Sequence, residues 1–124
     1  MEIERRTDQI TRVIVLVVSG ELDDDGLLRL RGELEGVSEA ESHFSLLIDL
    51  RKASGQNVTT GGTRVLANQP LVLAPSARRA VVVPSELGFG MARMYEMLRE
   101  GSGGATRVFR SYEEAERWVL TGKS

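Results

Sequence analysis

The run Val13, Ile14, Val15, Leu16, Val17 and Val18 constrains this chain more than any other feature. It is apolar at odd and even positions alike and rich in β-branched residues, so as a strand it needs cover on both faces. Two further runs share that character: Phe44, Ser45, Leu46, Leu47, Ile48, Asp49, Leu50 and Arg79, Ala80, Val81, Val82, Val83, the latter ended by Pro84. Strands of this kind belong to layered α/β domains, where crossover helices cover a largely parallel sheet.

The intervening segments supply those helices. Leu27, Leu30, Leu34 and Val37 recur at helical spacing behind Asp23, Asp24 and Asp25, predicting a helix of about four turns. Ser19 and Gly20 read as the end of the preceding strand. Ser85 is a good N-cap for a helix over 86–100, whose inner stripe is Leu87, Met91, Met94, Tyr95 and Leu98. Thr106, Arg107, Val108 and Phe109 make a short last strand. Ser111 and Glu114 have capping-box spacing, opening a helix striped by Tyr112, Ala115, Trp118 and Val119.

Residues 2–7 read as a polar edge strand, turning at Asp8 and Gln9 into the central run. Residues 51–69 are the least well specified. Val58, Val65 and Leu66 form a weak helical stripe, but Thr59, Thr60, Gly61, Gly62 and Thr63 have poor intrinsic helicity. Leu71, Val72, Leu73 and Ala74 lie between prolines and read as a packed loop. The resulting order is β-β-α-β-α-β-α-β-α, an initial hairpin followed by right-handed parallel crossovers. It forms a single domain over 1–124.

At 124 residues the chain can bury a real core without staples, roughly two-thirds of the surface its unfolded form exposes. With no cysteine, disulfides and thiolate zinc sites are excluded. A net charge of -2, with the cations scattered, argues against nucleic-acid binding, which needs a basic face. The longest apolar run is far below the ~20 residues that span a bilayer, and no secretory cleavage signal accompanies it. The expectation is a cytoplasmic protein without membrane insertion.

The element order resembles the STAS domain, the fold of bacterial anti-sigma-factor antagonists. Local residues sharpen the resemblance to its small SpoIIAA-like relatives: 80–96, with Phe89, Gly90, Met91, Ala92, Arg93, Met94 and Tyr95 its most specific part; the strand end Leu47, Ile48, Asp49, Leu50, Arg51; and Val108, Phe109, Arg110 with Glu114, Ala115 and Trp118. The resemblance covers nearly the whole chain. It implies a mixed, mostly parallel sheet with helices packed mainly on one face. It also implies a phosphorylated serine at the start of the helix after the Asp-ending strand. This chain departs from the pattern there, reading Asn57, Val58, Thr59, Thr60, with Val58 in the serine's place.

No catalytic constellation is present. His43 is the only histidine, just before a strand, and without a full constellation it reads as a surface or structural residue. Asp23, Asp24 and Asp25 lack the spacing and turn glycine of a calcium loop and suit a helix start. Gly88, Phe89 and Gly90 open a helix after a strand, but Arg93 stands where a dinucleotide fingerprint has its third glycine. No cofactor and no metal are expected.

Two features point to binding. The strand exits near Leu50, Val83 and Arg110 should share one rim, presenting Arg51, Lys52, Ser54, Ser85, Arg110 and Ser111 beside helix N-termini, where anions are received; helix capping alone also accounts for the serines. Phe89 falls opposite the inner stripe of its helix and either tucks over the first turn or meets a partner. The expected partner- or ligand-binding residues are Ser54, Asn57, Thr59, Thr60, Ser85, Phe89 and Arg93. The first functional expectation is a non-enzymatic regulatory or protein-interaction domain with a protein partner. The alternative is a small-molecule or lipid-binding domain walled by the Met-rich helix and the Leu71 to Ala74 loop. A homodimer is a further expectation, because something must cover the second face of the Val13 to Val18 run.

Overall fold

The structure, a computed structural model, describes residues 1–84, 86–100 and 105–122, with backbone alone at 86–89. β1 (Glu2–Asp8) and β2 (Val13–Asp23) form the opening hairpin. Its turn is built by one carboxylate: Asp8 Oδ1 accepts the N–H groups of Ile10 at 2.8 Å and Thr11 at 3.1 Å. Then follow α1 (Asp24–Gly32), a 3-10 turn (Glu41–His43), β3 (Ser45–Asn57), α2 (Thr60–Ala67), β4 (Arg78–Val82), α3 (Glu86–Arg99), β5 (Ala105–Phe109) and α4 (Tyr112–Thr121). The sheet order is β1-β2-β3-β4-β5, with β1 antiparallel and the other pairs parallel. Element order and sheet type are those expected.

Alternation along the strands divides the core in two. Ile14, Leu16, Val18 and Leu46 face one side, where they pack with Leu30, Leu34 and Leu73. Val13, Leu47, Ala80, Val82 and Phe109 face the other, against Ala115, Trp118 and Val119 of α4. The helices α1, α2 and α3 share the first side, so most of the helical layer lies on one face, as the resemblance implies.

Three boundaries differ from the sequence reading. β2 does not stop at Ser19 and Gly20; Gly20 takes φ 89° and the strand runs on to Asp23. β3 likewise continues past Leu50, pairing Ser19 with Lys52 and Asp23 with Asn57. Between Val17 and Ser19, and again between Glu21 and Asp23, β3 spends three residues against two on β2, the signature of bulges. Each bulge breaks period-two alternation, which hides the extension from a pattern reading. Third, α1 ends at Gly32 rather than near Val37. Leu34 and Glu35 bond back three residues, to Arg31 and Gly32 at 3.1 Å each, and Gly36 at φ 81° turns the chain away. Leu34 remains buried even so.

Candidate functional site

α3 does not lie flush on the sheet. Between it, α1, α2 and the first sheet face is a cavity of about 380 Å³, within the range of small-molecule sites. Ile48, Leu50, Val81 and Val83 form its floor, Leu27 and Leu30 one wall, and Met91, Ala92 and Tyr95 its roof. Leu71, Val72 and Leu73 close one side, as the alternative sequence reading required of that loop. Exposed Ser54, Gly55, Gln56 and Pro84 line the end where β3 and β4 exit. The first bulge shapes this end by bringing Leu50 and Ala53, three apart, to the same cavity.

The opposite end is basic. Arg79 and Arg99 are each 7% exposed. Arg79 Nη1 donates to Ala77 O at 2.9 Å and its Nη2 to Leu73 O and Ala74 O at 2.9 and 3.0 Å. Arg99 Nη1 donates to Ala67 O at 2.7 Å and Gln69 O at 2.9 Å. Arg31 Nη2 reaches Pro70 O at 2.9 Å. Three guanidinium groups thus hold the connection between α2 and β4 through its carbonyls. Burial pulls the Arg79 guanidinium below its ordinary value, and like-charged Arg99 adds to that. Burial likewise pushes the Tyr95 phenol up, against Arg99, Arg79 and Arg31. Sequence reasoning missed this end. The signal was Arg79 within an otherwise apolar strand, and Arg99 four residues beyond Tyr95. The inner stripe of α3 is accordingly turned from the one expected: Leu98 is 41% exposed and Arg99 is buried.

The expected site residues are distributed over this frame. Ser54 lies on the β3 extension, at the cavity's edge. Asn57, exposed, is the last residue of β3 and pairs with Asp23. Thr59 is the N-cap of α2, accepting the Gly62 N–H at 2.9 Å. It also donates to Asp24, from its N–H to Oδ1 at 2.8 Å and from its hydroxyl to Oδ2 at 2.6 Å. These bonds hold the Asp24 carboxyl below the usual range and latch α1 to α2. Thr60 is the exposed first residue of α2. Arg93 is exposed on α3 and pairs with Glu96, whose Oε2 accepts the Val108 N–H at 2.7 Å. Ser85 and the Phe89 side chain lie outside the described residues.

Val17, Asp49, Val82 and Phe109 are in register across four strands, so the ends of β4 and β5 share a rim, while β2 and β3 run on past it to Asp23 and Asn57. The cations of the rim are not all on the cavity side. Asp49, 4% exposed, accepts the Arg51 N–H at 3.0 Å and two guanidinium bonds at 2.9 Å. Burial works to raise this carboxyl, but the Arg51 bonds outweigh it and hold it below the usual range. Arg51 then lies 4.5 Å over the Tyr112 ring, on the α4 side. Ser111 caps α4, its Oγ accepting the Glu114 N–H at 3.2 Å. Asp23 caps α1 in the same way through Gly26 N–H at 2.8 Å. His43 is exposed in its 3-10 turn. Among the described residues no three His, Cys, Asp or Glu side chains gather as metal ligands. No described helix is long and apolar enough to cross a membrane.

An uncharacterised protein of the DUF3478 family with a SpoIIAA-like fold, from Shewanella loihica, superposes with TM-score 0.58 at 16% identity, covering 95% of this chain and 92% of that one. The fold is SpoIIAA-like. The unphosphorylated form of the anti-sigma factor antagonist SpoIIAA superposes equally well, with TM-score 0.59 at 14% identity over 97% of this chain and 99% of the antagonist. No protein-family profile and no curated protein sequence matches the chain. The SpoIIAA-like fold is thus shared along nearly its whole length while the residues are largely its own.

Proposed function

We propose that this chain is a non-enzymatic regulatory domain that binds an apolar small molecule beneath α2 and α3 and presents the outer side of those helices to a protein partner. The observation that carries the reading is the cavity. It is roofed by the helices whose exposed surfaces hold Thr59, Thr60 and Arg93, and Ser54 stands at its edge. An occupant would therefore press on the backbone of the surface a partner meets. The SpoIIAA-like fold supports the regulatory part, since one protein of that fold is an anti-sigma factor antagonist.

The partner surface comprises Ser54, Asn57, Thr59, Thr60, Ser85, Phe89 and Arg93. Affinity capture with Thr60→Arg and Phe89→Asp should lose the partners that the unaltered chain retains; an unchanged set removes this surface. For the cavity, decanol is the probe. Calorimetry should show it binding, and Ala92→Phe, which fills the roof, should abolish binding and raise the melting temperature. Failure of decanol and of its anionic counterparts, decanoate and decyl phosphate, alike to bind the unaltered chain refutes the ligand reading. On the second face of the central strand Val13 is buried, while Val15 and Val17 are half-buried beside Arg6 and Glu4 of β1. A homodimer covering this face remains part of the proposal: sedimentation at a dimer mass would support it, and monomer alone would remove it.

A further inference from the structure

We infer that the cavity takes an amphipathic anion, an apolar chain ending in a single carboxylate or phosphate head, with Arg79 and Arg99 reading the head. The inference rests on the cavity being a ligand site and names the ligand's class.

The asymmetry of the cavity carries it. Arg79 sits near the start of β4 and Val83 just past its end, a separation of about 13 Å at about 3.3 Å per residue. The wall between them is apolar, through Ile48, Leu50, Val81 and Met91. At one end of this apolar length stand two guanidinium groups, each 7% exposed. Their hydrogen bonds go to backbone carbonyls, which satisfy donors but carry no charge. Among the described residues no carboxylate pairs with either. Arg31, the third guanidinium at that end, is already matched by Glu35 at 2.9 Å. Two like charges drawn out of water and left unbalanced are a costly arrangement, and an anion placed between them relieves both desolvation and repulsion. Carboxylate and phosphate suit the planar fork of arginine. The Tyr95 hydroxyl, within the field of all three arginines, adds a neutral donor beside them. The apolar remainder of the cavity takes the chain, running toward the exit lined by Ser54 and Pro84.

A purely structural role for the arginines, stapling the loop between α2 and β4, predicts no preference for a head group, and this separates the two. Decanoate, decyl phosphate and decanol are titrated into the full chain below their micellar concentrations. The better of the two anions should bind about tenfold or more tightly than decanol, and whichever anion it is identifies the head. Arg99→Gln, with folding verified by circular dichroism, should remove most of that preference and leave decanol affinity within about twofold. If Arg99→Gln does not fold, the comparison of anions with decanol on the unaltered chain decides. Equal affinity for all three overturns the head-group inference while leaving an apolar ligand site intact. Failure of all three to bind overturns the ligand reading itself and takes the inference with it.

Discussion

Asp24, Thr59 and Gly62 show how tightly single atoms govern this fold. A Cβ on Gly62 would lie 2.1 Å from the Asp24 carboxylate carbon, so the glycine is there because the Asp24–Thr59 latch passes over it. Gly62→Ala should therefore lower the urea midpoint by breaking the latch. In an Asp24→Ala background the same change should be neutral or stabilising, because alanine is the better helix former by up to about 1 kcal/mol; equal costs in both backgrounds would sink the explanation. Asp49 supplies a pH dependence. Its folded-state carboxyl is held below its ordinary value, so its stabilisation is full above the unfolded pKa of about 3.9 and is lost as pH falls through the folded value. Denaturation midpoints taken from pH 7 to pH 3 should drop less steeply for Asp49→Asn than for the unaltered chain. Neither role was legible from sequence. Asp24 read only as a helix-start acid, because its partner Thr59 lies 35 residues away; Asp49 read only as a strand end, although its partner Arg51 stands just two residues on.

At the scale of elements, α4 is the best-declared part of the chain. Ser111 caps it as the capping-box spacing foretold, and Ala115, Trp118 and Val119 are buried along the expected stripe. Trp118 meets Phe109 with ring centroids 5.7 Å apart, and the Arg107 guanidinium lies 5.6 Å from its ring. Trp118→Ala should cost about 3–5 kcal/mol, read by chemical denaturation with circular dichroism; a loss below about 1 kcal/mol would mean that α4 is peripheral to the fold. α2 is the opposite case. Its Thr-Gly sequence argued against a helix, yet Thr59 caps it and Thr63 is buried, with its hydroxyl donating to Thr59 O at 2.9 Å. Tertiary fixation by Asp24 overrides local propensity here. The bulged extension of β3 was hidden for a different reason: exposed polar residues on a two-stranded ribbon carry no inside–outside alternation to read.

For the whole molecule, the layer order was legible because three apolar strands and striped helices leave few ways to bury both faces of a sheet. The cavity was legible only in part. Its Met-bearing helix and Leu71 to Ala74 wall were named from sequence, whereas its basic end depends on Arg79 and Arg99 being brought together by β4 and α3. Occupancy should stabilise the chain as a whole. A ligand at 100 times its dissociation constant adds about 2.7 kcal/mol, so the melting temperature should rise with decanol in the unaltered chain and stay fixed in Ala92→Phe. The sheet also acts as an optical partition. The only indole, Trp118, is packed on the α4 side, while Tyr95 belongs to the cavity on the other. Ligand entry is thus expected to leave tryptophan emission unchanged while perturbing tyrosine absorbance, giving one signal for filling and an independent one for unfolding within the native chain.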